Sequence, residues 1–77
     1  MVAVAKEKRE GTAFGARLRA LREAAGLTQA KLAEKADMQP SVLARLERGE
    51  REPTWPTVLK LAESLSVTPD AFTEKPE

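Results

Sequence analysis

Gly26, Asp37, Gly49 and the Thr68-Pro69-Asp70 step cut this chain of 77 residues into short stretches, most with apolar residues at helical spacing. That punctuation limits the fold more than any other feature. Phe14, Leu18, Leu21 and Ala25 share one face of an α-helix, with Thr12 as its expected N-cap and Gly26 as its stop. Thr28 is the next N-cap, ahead of Leu32, Ala33 and Ala36. Asp37 then permits a tight turn, because Asp tolerates the left-handed region better than most residues. Pro40 suits a first helical position, Leu43 and Leu46 give that third helix an apolar face beside Val42, and Gly49 closes it. Glu50-Arg51-Glu52-Pro53 reads as a charged loop. Thr54 caps a fourth helix whose Val58, Leu61, Ala62 and Leu65 fall at i, i+3, i+4 and i+7. Thr68-Pro69-Asp70 opens a short fifth helix carrying Ala71 and Phe72. No stretch alternates with period two over the length of a strand. The expectation is an all-α, compact domain of five short helices, whose short connections force steep crossings.

Residues 1–11 carry no sustained apolar period and are expected to form a basic, flexible N-terminal arm. The domain proper is expected over 12–73, with a C-terminal tail over 74–77. A chain of this size supports one core, and buries only ~60% of its unfolded surface. No separate ligand-binding or oligomerisation domain is expected, so regulation is expected to come from dimerisation, a partner or protein turnover.

Composition narrows the function. There is no Cys, His or Tyr. Disulfides, metal sites built on thiolate or imidazole, and nucleophile–histidine arrangements are excluded. The longest uncharged runs are seven residues, far below the ~20 a membrane span needs. The Met1–Ala5 start is too short for a signal-peptide core. A cytoplasmic protein with no cofactor and no membrane contact is expected. The net charge of +1 conceals a gradient: residues 1–22 sum to +4, residues 23–52 to −1 and residues 53–77 to −2.

Two short helices joined by a three-residue turn suggest a helix-turn-helix. Such a unit needs a small residue where its helices cross, which Ala33 supplies. It also needs a turn residue able to adopt positive φ, and a second helix anchored on one side and free on the other. Leu27 to Gly49, LTQAKLAEKADMQPSVLARLERG, resembles the lambda-repressor-like (Cro-type, Xre-type) helix-turn-helix family. The likeness extends through FGARLRALREAAG before it and EPTWPTVLKLAESLSVTPDAF after it, roughly residues 13–72.

The resemblance implies a sequence-specific double-stranded DNA-binding transcriptional regulator, expected to be a repressor. Helices 2 and 3 form the motif, and the helix from Pro40 to Arg48 enters the major groove. It also implies a homodimer on a palindromic operator, in the cytoplasm at the nucleoid. Gln29 matches the family residue whose amide bonds a phosphate and braces the recognition helix; the plainer alternative is a solvated helical Gln. Ser41 and Arg45 lie four apart on one face, and Arg45 can pair with a guanine edge, touch a phosphate or stay solvated. Ala44 can meet a thymine methyl group. Arg22 and Glu47 match a family pair joining the first helix to the recognition helix; the alternative is two independent surface charges.

Three positions depart from the family. Pro40 replaces a polar or basic side chain, leaving Gln39 to reach from the cap position. Val42 replaces a common Thr. Glu50 and Glu52 flank Arg51 in a loop where acids repel phosphate, although Arg48 and Arg51 can still contact it. Trp55, at the exposed start of helix 4, is a dimer contact, a phosphate-side contact or a lid on the core. The competing expectation is a protein-interaction module on the same fold, such as an antitoxin-type component binding a partner protein. An enzyme is not expected, because carboxylates, Lys and three Ser are all explained by helix surfaces and caps.

Overall fold

A computed structural model describes residues 2–72, with side chains described from Ala13 onward. The chain runs through α1 (Val2–Ala24), α2 (Gln29–Lys35), α3 (Pro40–Glu47) and α4 (Trp55–Leu65), and ends in one 3₁₀ turn, Pro69–Phe72. No strand occurs among the described residues. The all-α expectation holds, but the helix count differs. The expected fifth helix is a single 3₁₀ turn, in which Ala71 N–H donates to the Thr68 carbonyl, three residues back.

The start of α1 is the second correction. Helix begins at Val2, so Thr12 lies inside it rather than capping it, and residues 2–11 share its helical backbone. That stretch lacks the apolar period that signals packing. It is nevertheless rich in Ala, Lys, Glu and Arg and free of Pro, so propensity extends a helix already nucleated by the packed part of α1. The expected tail over 74–77 lies outside the described residues.

The remaining N-caps form as the sequence dictates. Thr28 Oγ1 accepts from Lys31 N–H at 3.1 Å, and Thr54 Oγ1 from Thr57 N–H at 3.3 Å. At the other ends one arrangement recurs four times. A residue with positive φ follows each helix: Gly26 (74°), Asp37 (58°), Gly49 (77°) and Ser66 (59°). The next residue then donates its N–H to a carbonyl five residues back: Leu27 to Arg22, Met38 to Ala33, Glu50 to Arg45 and Val67 to Ala62. This satisfies carbonyls that the helix leaves open and reverses the chain within two residues. Leu27, Met38 and Val67 then turn back onto the core.

That core consists of Leu18, Leu32, Ala33, Ala36, Leu43, Leu46, Leu61, Ala62, Leu65 and Phe72. Ala33 is fully buried, as the helix crossing requires. Phe14 and Phe72 stack at 5.0 Å between ring centroids, tying the 3₁₀ turn to α1. Trp55 and Leu59 stay outside, 62% and 43% exposed, so Trp55 is not a lid on the core.

Candidate nucleic-acid interface

The unit α2–turn–α3 takes its shape from Ala33 and Asp37. Ala33 lets the helices approach, and Asp37 reverses the chain between them. Leu43 and Leu46 anchor α3 inward, with Val42 half-buried beside them. The opposite side presents Pro40, Ser41 and Arg45, all exposed, and half-buried Ala44. Gln39 occupies the cap position of α3 but makes no side-chain cap hydrogen bond, so its amide is not committed to the helix. Pro40 is the first residue of α3, as its missing N–H favours.

Behind this face lies a polar junction of three helices. Arg22 of α1 donates to Glu47 of α3 through Nε (2.6 Å to Oε2) and Nη2 (3.2 Å to Oε1). Its Nη1 donates to the Leu27 carbonyl at 2.9 Å, which holds the α1–α2 loop. Gln29 of α2 donates through Nε2 to Glu47 Oε1 at 2.9 Å. The side chains of Arg22 and Glu47 are only 11% and 4% exposed. Hydrogen bonding to Glu47 raises the Arg22 pKa further above its already high ordinary value. Two charges taken out of water are tolerated when geometry is bidentate and the remaining polar atoms are satisfied, which is the case here. Arg22 and Glu47 are therefore one unit rather than independent surface charges. The Gln29 amide is part of it rather than merely solvated.

Past the end of α3 the electrostatics take another form. Arg48 donates to Glu50 through Nε (2.9 Å) and Nη2 (3.1 Å), both side chains remaining more than half exposed. These hydrogen bonds hold the Glu50 carboxyl below its ordinary pKa, with a smaller pull from the charge of Arg45, and raise that of Arg48. The guanidinium fork expected to meet a phosphate is thus occupied by an internal carboxylate. Glu50 therefore does more than repel a phosphate: it occupies Arg48 directly. The signal for the pairing is Gly49, whose positive φ folds residue 50 back beside residue 48. Arg51 is exposed in the following loop.

Comparison with known proteins agrees with this architecture. A family described as "Helix-turn-helix domain" matches residues 13–74. The chain is 41% identical over 61 residues to the HTH-type transcriptional regulator PrpR of Mycobacterium tuberculosis, and 38% identical over 64 residues to the HTH-type transcriptional regulator ImmR of Bacillus subtilis. These alignments cover 79% and 83% of the chain, but the chain spans only 13% and 50% of the two relatives. Among solved structures it is similar to the restriction-modification controller protein C.AhdI from Aeromonas hydrophila. That similarity has a TM-score of 0.82 and 37% identity, covering 84% of this chain and 98% of that one. The family is one of regulators rather than enzymes. With its motif on α2 and α3, the polar side of α3 turned outward and its junction at Glu47, the chain belongs to the Cro- and Xre-type helix-turn-helix family of transcriptional regulators.

Proposed function

We propose that the chain is a sequence-specific double-stranded DNA-binding repressor, cytoplasmic and nucleoid-associated, that inserts α3 into the major groove as a dimer. One observation carries the reading. α3 is fixed from behind by Leu43, Leu46 and the Arg22–Glu47–Gln29 junction, and it presents Ser41 and Arg45 together to solvent. A rigid helix with a polar outer face is what base readout requires. Arg45 is assigned to a guanine edge, Ser41 and Gln39 to polar groups near the start of α3, and Ala44 to a thymine methyl. Pro40 makes apolar contact only. Gln29 and Arg51 are assigned to phosphates, Gln29 through the amide hydrogen that Glu47 leaves free, whereas Arg48 reaches a phosphate only when Glu50 releases its fork.

Selection of bound sequences from a random duplex pool tests this directly. The expected product is a palindrome with half-sites about one helical turn, roughly 34–36 Å, apart. Failure to retain any duplex at low salt, with the protein folded, defeats it. A flat response of affinity to salt does so too, since each neutralised phosphate contributes a logarithmic slope of about −0.9.

A second reading, a module whose main task is binding a partner protein, is favoured by exposed Trp55 and Leu59, one turn apart on α4. A second copy covering that pair gives the dimer; a different protein covering it gives the alternative. Sedimentation of the purified chain with and without operator separates them.

A further inference from the structure

Gly15 is buried in α1 against the last turn of α3. A Cβ at this position would stand 2.5 Å from the carbonyl oxygens of both Leu46 and Glu47, and 2.8 Å from the Glu47 carbonyl carbon. Comfortable contact needs roughly 3.5 Å. These are backbone atoms, so they cannot swing aside as the tip of a side chain would. Two helical turns further along α1, on the same face, Arg22 grips the Glu47 side chain. Buried Leu18 lies between them. One stripe of α1 therefore holds the last turn of α3 twice, by bare backbone at Gly15 and by charge at Arg22. The other end of α3 is fixed by the turn that contains Asp37. Arg45 belongs to the last turn of α3.

We propose that Gly15 is a positioning residue for DNA recognition. By leaving space for the α3 carbonyls, it sets how deeply the C-terminal turn of α3 is seated and so where Arg45 is presented. This rests on the DNA-binding reading. Any side chain at position 15 levers that turn outward by roughly 1 Å, enough to misplace a bidentate contact that requires placement within about 0.5 Å. Phosphate contacts through long, exposed side chains absorb such a shift.

The test uses Gly15→Ala, with Val58→Ala on α4 as a destabilised control away from this contact. Affinities for the selected duplex and for random duplex are measured, together with the Arg22 Nε–Hε resonance. Expected for Gly15→Ala is a ratio of specific to random affinity about ten-fold lower, comparable to losing one bidentate base contact. Random-duplex affinity should stay within about two-fold, and the Arg22 resonance should move as Glu47 is displaced. Val58→Ala should keep the ratio and the resonance. An unchanged ratio in Gly15→Ala overturns the proposal. So does a loss of both affinities in proportion to the unfolded fraction. Should Gly15→Ala fail to fold, Arg22→Lys loosens the same turn and must lower the same ratio; a wild-type ratio there overturns the proposal equally. If the wild type selects no duplex, the DNA reading fails by itself. The seating role is then decided by the Arg22 resonance, which must move in Gly15→Ala and not in Val58→Ala.

Discussion

Glu47 is the side chain on which three helices converge, and its replacement should be costlier than that of other charged residues. Glu47→Ala leaves Arg22 nearly buried and without its partner, a loss of about 3 kcal/mol in urea unfolding. Arg19→Ala removes an i,i+4 pair with Glu23 whose side chains are 64% and 56% exposed, and should cost under about 0.5 kcal/mol. Glu50 acts in the opposite sense. Glu50→Gln frees the Arg48 fork, so affinity for all duplexes should rise together and the salt slope should steepen by about 0.9. The pH dependence follows from the lowered Glu50 pKa. Glu50 stays ionised and paired until pH falls through that lowered value; below it the wild type also releases Arg48. The advantage of Glu50→Gln should therefore be present at neutral pH and vanish in acid, as binding titrations to random duplex would show.

At the scale of elements, the repeated helix ending is the organising feature. Gly meets the left-handed requirement at residues 26 and 49, whereas Asp37 and Ser66 meet it at a steric cost. Asp37→Gly and Ser66→Gly should each stabilise the domain by about 0.5–1 kcal/mol, and Asp37→Val should destabilise it by about 1–2 kcal/mol, read from Tm. These endings also explain what the sequence disclosed. Gly26, Gly49, Asp37 and the Thr caps are local chemistry, and α2, α3 and α4 were legible from them almost to the residue. Ser66 was not foreseen, because Ser carries no strong preference for positive φ. The start of α1 was missed because apolar period reports packing, while the backbone there follows propensity. Of the site, the outward face of α3 and the Arg22–Glu47 pair were legible, the latter through family resemblance. The Arg48–Glu50 pair was not, since it depends on how Gly49 folds the chain back. The space at Gly15 was not either, because it depends on two elements meeting.

The whole molecule rests on one small apolar core. A domain of this length has roughly 4–12 kcal/mol of stability to lose. Leu18→Ala, at a fully buried position, should remove about 2–5 kcal/mol and lower Tm by roughly 10–30 °C. Regulation built on such a domain is sensitive to anything that binds only the folded form, including operator DNA or a second copy. The single tryptophan adds a practical consequence. Trp55 is 62% exposed in the folded chain, so its environment changes little when the core melts. Its emission should stay red-shifted and nearly constant through urea unfolding, yet shift to the blue when another surface covers α4. The intrinsic fluorophore of this protein is thus a reporter of association rather than of folding.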